Sequence, residues 1–217
     1  MTMQTPAIPG VIHVVDDDAA FRTAISRVLT AAGHRPKLYP SAADYLSSHD
    51  PEGPACVVLD LRMPGVTGLD LQAALAQRED SHPVIFLSGH GDIPSTVRAM
   101  REGALDFLRK PVPTATLLEA IHRALERDLE RTERRAQVTQ VKQRYASLTP
   151  RERQVMAGVV AGRLNKQICY ALHAAERTVK THRARVMEKM RVRSVAELVR
   201  LAEELAGAGV LLETVGY

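Results

Sequence analysis

The sequence predicts an α/β domain with a doubly wound, parallel sheet of five strands, and an all-α domain of four helices joined to it by a long helix. Short apolar runs recur along the first half, separated by segments whose apolar residues stand three and four positions apart. Strands that alternate with helices are typical of a parallel sheet covered on both faces. Residues 148–206 show the helical spacing alone.

The five apolar runs define the strands of the predicted sheet. They span residues 11–15, 36–39, 56–59, 84–87 and 105–108. The helices between them have recognisable ends, since Gly33 stops the first and Ser41 is placed to cap the second. Val97, Met100 and Gly103 mark a further helix before the last strand. The order of these elements predicts helices on both faces of the sheet.

Polar side chains follow four of the five strands. Asp16 and Asp17 follow the first strand, Asp60 the third, Ser88 the fourth and Lys110 the fifth. In open parallel sheets, ligands bind outside the carboxyl ends of the strands. We therefore expect three carboxylates, one hydroxyl and one ammonium group to share a site.

The residue types at this edge predict phosphate chemistry. Clustered carboxylates repel one another unless a cation joins them, and oxygen ligands in an open cleft suit Mg²⁺. A carboxylate can also attack phosphorus and form an aspartyl-phosphate, with Lys110 neutralising charge and Ser88 donating to an oxygen. Each residue alone has a plainer interpretation: Asp17 or Asp18 could cap a helix, and Lys110 could be a surface charge.

Four motifs in order, VVDDD, LDLRMPG, FLSGHGD and DFLRKP, resemble the receiver domain of bacterial response regulators, most closely the FixJ branch. The resemblance covers residues 10–122. It implies that Asp60 accepts a phosphoryl group from a sensor histidine kinase. It also implies a Mg²⁺ ion held by Asp17, Asp60 and the backbone carbonyl of Arg62, with Asp16 forming hydrogen bonds beside it.

The same resemblance assigns roles to the remaining residues of this edge. Ser88 and Lys110 would contact the phosphoryl group, and Phe107 would be the aromatic switch residue that turns inward on activation. Because Phe107 lacks the hydroxyl of the tyrosine common at this position, no part of the switch can depend on one. The family often holds the bond between Lys110 and Pro111 in the cis form.

Residues 123–146 are predicted to form a helical linker. Apolar positions from Leu117 to Leu129 keep a helical spacing and then give way to charged residues, and no Gly or Pro interrupts residues 114–149. A semi-rigid arm, part of a coiled coil and a plain solvated spacer all fit this segment.

Residues 147–206 are predicted to form four helices that include a helix-turn-helix arrangement. Thr149 and Glu152 have the spacing of a capping box at the first helix, and Ser194 is placed to cap the fourth. The third helix, residues 176–190, has a basic face opposite an apolar stripe. A second, basic helix after a tight turn is typical of major-groove recognition.

The basic face of the third helix predicts contact with a polyanion. It consists of Arg177, Lys180, Thr181, Ala184 and Arg185, with Arg183 toward one side. The charge distribution agrees, because residues 1–122 carry a net charge of −4, residues 123–147 of +3 and residues 148–217 of +5. A solvated basic helix would show the same charges.

The motifs LTPRERQVM, AGRLNKQI, ERTVKTHRARVMEKM and RSVAELVRLA resemble the LuxR-type DNA-binding domain. The resemblance implies dimerisation through the last helix and insertion of the third helix into the major groove, with Lys180 and Thr181 facing bases. The other predicted interface residues, most of them phosphate contacts, are Lys166, Arg177, Thr178, Arg183, Ala184 and Arg185. His173 and Arg191 replace glycines common in relatives, so His173 is expected to adopt an unusual backbone conformation.

The composition excludes several classes of protein. No apolar stretch is long enough to span a membrane, and no signal peptide is evident, so we expect a cytoplasmic protein without a membrane partner. Cys56 and Cys169 are isolated and are expected to be reduced core residues. The segment 207–217 receives no predicted role.

The sequence as a whole predicts a phosphorylation-dependent transcriptional regulator and not an enzyme. Its expected partners are a sensor histidine kinase, double-stranded DNA and a second copy of the chain, with RNA polymerase as a further candidate and Mg²⁺ as the cofactor. Inhibition of the DNA-binding domain by the resting receiver is an open alternative to activation by dimerisation.

Three other functions have less support. A phosphatase with a strand-end Asp nucleophile needs a second Asp two positions on, where Arg62 stands. A regulator gated by a small ligand needs a large apolar pocket. A regulator that binds DNA without phosphorylation has no need of the acidic site.

Overall fold

The computed structural model describes residues 8, 10–48, 53–78, 82–89, 93–211 and 213 of the 217-residue chain. It divides into two compact units, Met1–Thr132 and Glu133–Tyr217. The division falls inside the predicted linker, residues 123–146, whose extent stays a prediction. Each unit has a hydrophobic core of its own.

The first unit is built on the parallel, five-stranded sheet that the sequence predicts. The strands are β1 (Val11–Val15), β2 (Arg35–Tyr39), β3 (Ala55–Leu59), β4 (Val84–Ser88) and β5 (Asp106–Arg109). Their order across the sheet is β2-β1-β3-β4-β5, and every neighbouring pair is parallel. This is the flavodoxin-like order of a doubly wound fold.

Helices cover both faces of the sheet. They are α1 (Ala19–Ala31), α2 (Ala42–Ser47), α3 (Gly68–Ala76), α4 (Ile93–Arg101) and α5 (Thr114–Ala146). Because side chains alternate along a strand, Ile12 and Val14 of β1 pack with α1 and α5, whereas Val15 packs with α2 and α3. The strands β1, β3 and β4 are buried along their whole length, as covered parallel strands should be.

Local side-chain chemistry sets the helix ends. Asp18 accepts hydrogen bonds from two main-chain N–H groups at the start of α1, and Ser41 caps α2 as predicted. Gly33 follows α1 with a φ of 86°, a conformation that favours glycine. Asp18 and not Asp17 is therefore the helix cap, which leaves Asp17 at the strand end.

Helix α4 forms where the sequence predicts a helix, but its apolar side does not face the core. Val97 and Met100 are 42% and 44% exposed, and Ile93, on the same helix face, is 80% exposed. The small side chain of Ala99 faces the core instead and is fully buried. Periodicity identifies an amphipathic helix but cannot distinguish a stripe that packs on the sheet from one that faces solvent.

Helix α5 is continuous over 33 residues and contributes to both cores, which confirms the predicted long helix. Leu117 and Leu125 pack in the first unit, and Val141 packs in the second. Contacts with the sheet continue past position 122, since the carboxylate of Asp128 accepts a hydrogen bond from the Ala55 N–H at 2.9 Å.

The second unit contains the four predicted helices. They are α6 (Pro150–Val160), α7 (Asn165–Leu172), α8 (Glu176–Met190) and α9 (Val195–Gly207). The capping box of Thr149 and Glu152 is formed at α6, and Ser194 caps α9. His173 and Arg191, which follow α7 and α8, both have left-handed conformations, with φ of 46° and 55°. The unusual backbone expected at His173 is thus confirmed.

The segment after α9 is partly in contact with the second core. Among the described residues of this segment, Val210 packs against the core and its N–H donates to the Leu205 carbonyl at 2.9 Å. The two cysteines are free, with Cys56 buried and Cys169 partly buried. In the described part of the chain, no helix is both long and apolar enough to span a bilayer.

Candidate functional site

The carboxyl ends of four neighbouring strands bring polar side chains together at one edge of the first unit. Asp16 follows β1, Asp60 follows β3, Ser88 ends β4 and Lys110 follows β5. Asp16, Asp60 and Ser88 are buried, with 2%, 8% and 1% of their surfaces exposed. Two carboxylates in such a position are destabilising unless a cation compensates for their lost hydration.

Lys110 provides that compensation by bridging the two carboxylates. Its Nζ lies 2.5 Å from Asp16 Oδ2 and 3.0 Å from Asp60 Oδ1. The same Nζ lies 3.9 Å from the centre of the Phe21 ring, within range of a cation–π contact. The sequence predicts the three charged residues but not Phe21, whose spacing indicates only a helix face.

Main-chain and guanidinium donors hold the other oxygens of the two aspartates. The Arg62 N–H donates to Asp60 Oδ2 at 2.9 Å, and the Asp18 N–H donates to Asp16 Oδ1 at 2.9 Å. Arg22 Nη1 donates to the main-chain carbonyl of Asp16 at 2.5 Å. Each carboxylate therefore has one oxygen fixed by the main chain and one directed at Lys110.

Burial and pairing act in opposite directions on the ionisation of these groups. Burial raises the pKa of Asp16 above its usual value, although hydrogen bonds from Lys110 and from the Asp18 N–H work against the rise. Burial alone would lower the pKa of Lys110, but its bonds to Asp16 and Asp60 outweigh that effect and leave the pKa raised. Lys110 is therefore cationic at neutral pH.

The loop after Asp60 is packed too closely to admit a side chain at Gly68. A Cβ on this residue would lie 2.3 Å from the main-chain oxygen of Asp60. The Gly68 N–H also donates to the Leu61 carbonyl at 3.0 Å. The start of α3 therefore rests directly on the backbone of Asp60 and fixes the loop that carries Arg62.

Ser88 lies on β4, the strand beside β3, and Phe107 lies on β5, the next strand along the sheet. The Ser88 carbonyl accepts a hydrogen bond from the Lys110 N–H at 2.9 Å, which joins the ends of β4 and β5. Phe107 is half-buried and stacks on Phe86, with ring centroids 5.8 Å apart and an interplanar angle of 25°. A change at the end of β4 can therefore reach Phe107 through direct contacts.

Asp17, the remaining predicted metal ligand, is exposed just after the end of β1. Within the described residues, no group of three or more His, Cys, Asp or Glu side chains is arranged to hold a metal. The predicted magnesium site needs only two such side chains, those of Asp17 and Asp60, together with the main-chain carbonyl of Arg62. Asp16, Asp17 and Asp60 against Lys110 leave a formal charge of −2, and Mg²⁺ prefers such oxygen donors while it retains several waters.

Helix α8 of the second unit separates an apolar stripe from a basic face, as its sequence predicts. Val179, Val186 and Met190 are fully buried. The exposed residues of the predicted interface on this helix are Arg177, Thr178, Lys180, Thr181, Ala184 and Arg185. Lys166, near the start of α7, is also exposed. The exposed face of α8 thus carries three cationic side chains with small residues between them, and Lys166 of α7 is a fourth exposed cation.

Two of the predicted basic DNA contacts have side-chain partners in this structure. Lys180 Nζ lies 3.0 Å from Glu176 Oε1, and both side chains are largely exposed. Arg183 is only half exposed and donates to Asn165 Oδ1 at 2.9 Å, which joins α8 to α7. Sequence reasoning missed both partners. The spacing of four residues between Glu176 and Lys180 could have identified the first.

Comparisons with known proteins agree with both units. Residues 12–122 match the family model of the response regulator receiver domain, and residues 146–202 match that of the bacterial regulatory proteins of the luxR family. Nodulation protein W of Bradyrhizobium diazoefficiens is 44% identical over 196 residues, which cover 90% of this chain and 86% of that protein. The transcriptional regulatory protein FixJ of Azorhizobium caulinodans is 41% identical, and the match covers 88% of this chain and 90% of that protein.

Solved structures give the same result. The response regulator StyR has a TM-score of 0.81 and 43% identity, and the match covers 91% of this chain and 100% of that one. Full-length FixJ from B. japonicum has a TM-score of 0.54 and 40% identity, and the match covers 93% of this chain and 98% of that one. The fold and the strand-end site thus define a receiver followed by a helix-turn-helix domain. The chain belongs to the two-component response regulators, as a transcriptional regulator of the FixJ type with a LuxR-type DNA-binding domain.

Proposed function

We propose that Asp60 accepts a phosphoryl group from a sensor histidine kinase and that the modified protein binds DNA as a dimer. The observation that supports this proposal is the Lys110 bridge. An ammonium group that already lies between two buried carboxylates is in place to neutralise a further anionic group beside Asp60.

The transfer itself requires little covalent chemistry from the protein. A carboxylate oxygen of Asp60 attacks the phosphorus of a phosphohistidine, and the phosphorus–nitrogen bond breaks with its electron pair returning to the imidazole. Lys110 neutralises charge on the transferred group, and the Ser88 hydroxyl donates to one of its oxygens. Mg²⁺ held by Asp17, Asp60 and the Arg62 carbonyl would supply electrostatic stabilisation of the phosphoryl oxygens.

The phosphoryl group would bias a conformational equilibrium through the ends of β4 and β5. The phosphoryl oxygens would interact with the side chains of Ser88 and Lys110. The main chains of these two residues are hydrogen-bonded to each other. Phe107 stacks on the neighbouring Phe86 and repacks when the end of β4 moves. The ligand shifts the equilibrium because it interacts more favourably with one of the two arrangements.

The exposed stripe of α4 is the surface we propose for a second receiver. Ile93, Val97 and Met100 form an apolar strip that no residue of the described chain covers. On the neighbouring strand β5, Asp106 Oδ2 lies 2.6 Å from Arg123 Nη2 of α5. An apolar strip with a charged rim is typical of a protein interface.

Helix α8 is the DNA-reading element in this proposal. Lys180 and Thr181 would face the bases, and Lys166, Arg177 and Arg185 would contact phosphates. A dimer presents two such helices to a two-fold DNA site and gains affinity through avidity. The protein would act in the cytoplasm, with RNA polymerase as a candidate partner at the promoter.

Intact-mass spectrometry after incubation with acetyl phosphate and Mg²⁺ tests the first step. We expect the wild type to gain one phosphoryl group and Asp60→Ala to gain none. Glu119→Gln, which removes one exposed carboxylate elsewhere on the receiver, is the matched control and should be modified like the wild type. Equal modification of Asp60→Ala would show that Asp60 is not the acceptor.

A further inference from the structure

A second cavity of the receiver lies at the opposite edge of the sheet from Asp60. Its volume is about 230 Å³. Val84, the first residue of β4, and Leu105, directly before β5, form part of its wall. The cavity is therefore at the amino ends of strands whose carboxyl ends meet at the phosphate site.

Two guanidinium groups on the cavity wall have no counterion in the part of the chain that the structure describes. Arg127 and Arg131 lie one helical turn apart on the same side of α5. Neither forms an ion pair or hydrogen bond with any residue that the structure describes. Glu102, the carboxylate on the wall, is already paired with Arg98, whose Nε lies 2.7 Å from Glu102 Oε1. Among the described residues, the two positive charges on the cavity wall therefore have no counterion.

His82 adds a polar group whose orientation is fixed. Its Nδ1 lies 3.1 Å from Asp128 Oδ2, and the same oxygen accepts a hydrogen bond from the Ala55 N–H at 2.9 Å. Asp128 is buried, with 3% of its surface exposed, so this pair holds the imidazole firmly. Because Nδ1 faces Asp128, the other ring nitrogen of His82 is left for a ligand in the cavity that the ring lines.

We propose that this cavity binds a small anion that carries phosphate or carboxylate groups, with Arg127 and Arg131 as its charge partners. The planar guanidinium group matches both groups by paired hydrogen bonds. Pockets for drug-sized ligands measure roughly 300–1,000 Å³, so a cavity of this size suits inorganic phosphate or a short polycarboxylate.

The cavity lies between α5 and the turn that joins α4 to β5. Arg127 and Arg131 belong to α5, whereas Glu102 and Gly103 belong to the turn between α4 and β5. A bound anion would hold the segment of α5 that carries Arg127 and Arg131 against the turn between α4 and β5. The inference does not depend on the chemistry at Asp60, because the two sites share no residue.

Amide NMR of the ¹⁵N-labelled full-length protein tests the proposal. Inorganic phosphate and citrate are titrated separately in a chloride buffer without Mg²⁺, which distinguishes recognition of phosphate from recognition of carboxylates. We expect saturable shifts of the Gly103 and Ala76 signals, with a Kd below about 1 mM for at least one probe. No shift of these signals with either probe would overturn the proposal.

Three variants distinguish a site from diffuse attraction to a basic protein. Arg127→Gln with Arg131→Gln should weaken binding by about tenfold or more, because two charge-assisted hydrogen bonds are lost. Ala76→Leu should weaken binding without a change of charge, because Ala76 lines the cavity. Arg134→Gln with Arg135→Gln removes the same charge from α5 outside the cavity and should leave binding unchanged. An equal loss in this control pair would overturn the proposal.

Discussion

The side chain of Lys110 determines the charge balance at the proposed phosphorylation site. Its Nζ contacts both Asp16 and Asp60, whose carboxylates are almost fully buried. Breaking a buried ion pair by removing one partner is costly because the remaining charge has lost both its water and its counterion. In this site, loss of the Lys110 ammonium group would leave two buried carboxylates without their counterion.

Lys110→Ala should lower the free energy of unfolding at neutral pH by about 1–3 kcal/mol. Mg²⁺ should restore more stability to this variant than to the wild type, because a cation beside Asp60 replaces part of the missing charge. Urea unfolding with and without Mg²⁺ measures both effects. An unchanged stability, or an equal response to Mg²⁺ in both proteins, would show that Lys110 does not balance the carboxylates.

Glu152 is the corresponding buried charge of the second unit. Its Oε2 accepts hydrogen bonds from Lys189 Nζ at 2.6 Å and from the Thr149 N–H at 2.9 Å. Burial works to raise the pKa of Glu152, but these hydrogen bonds outweigh it and hold the pKa below its usual value. The interaction therefore stabilises the fold above the unfolded-state pKa of about 4.3, and this stabilisation is lost as pH falls through the lower, folded-state pKa.

Lys189→Met should therefore destabilise the DNA-binding domain in a pH-dependent way. We expect a loss of about 1–2 kcal/mol near pH 7, reduced because Lys189 is one-third exposed. The difference from the wild type should shrink at a second, lower pH, because Glu152 loses its negative charge as the pH falls through its lowered, folded-state pKa. Urea unfolding at both pH values measures this difference, and a constant difference would mean that the substitution only alters packing.

Among the elements, α5 is tied to the sheet by one buried carboxylate. Asp128 accepts hydrogen bonds from the Ala55 N–H and from His82, and these contacts lie beyond the last residue of the receiver match. The amino end of β3 and the middle of α5 are thus joined. Since β3 ends at Leu59, directly before Asp60, the same strand connects the phosphate site with the helix that leaves the receiver.

Asp128→Ala should leave the Ala55 N–H without an acceptor and destabilise the receiver by about 1–3 kcal/mol. Amide hydrogen exchange at Ala55 should accelerate accordingly. Asp128→Asn is the matched control, because its carbonyl oxygen can still accept from Ala55, and its exchange should stay closer to that of the wild type. Equal exchange in Asp128→Ala and the wild type would refute the tie between α5 and β3.

On helix α8, the side chains that we propose to read bases should behave differently from those that we propose to hold phosphates. Arg185→Ala should weaken binding to all DNA fragments alike and reduce the slope of log affinity against log salt by about one. Lys180→Ala should instead relax discrimination among fragments selected from a random pool. Arg200→Ala, an exposed charge on α9, is the control. Fluorescence anisotropy measures all three, and identical behaviour of Arg185→Ala and Lys180→Ala would contradict the assignment.

Some features of the strands and helices were predictable from the sequence, and others were not. The strands and the meeting of Asp16, Asp60 and Lys110 were predictable, because parallel topology alone places successive strand ends at one edge. The pairing of Asp128 with Ala55 was not, because residues 73 positions apart leave no local pattern. The exposed side of α4 was not predictable either, since an apolar stripe has the same spacing whether it meets a sheet or a partner.

For the whole molecule, the proposal links one charge at Asp60 to the number of DNA-reading helices in the complex. In this proposal a single α8 helix would contact one half-site, whereas two helices in a dimer would contact both, and the second contact would be intramolecular. Affinity can rise by orders of magnitude in this way without any change in α8 itself. The exposed α4 stripe is the surface through which the receiver would control this step.

Sedimentation velocity with beryllium fluoride and Mg²⁺ tests this central claim most directly. The adduct mimics the phosphoryl group at Asp60 without the need for the cognate kinase. We predict that the wild type changes from a monomer of 23.8 kDa to a species of twice that mass, and that Asp60→Ala and Met100→Lys remain monomers. A wild type that stays monomeric, or an Asp60→Ala variant that dimerises equally, would contradict the account.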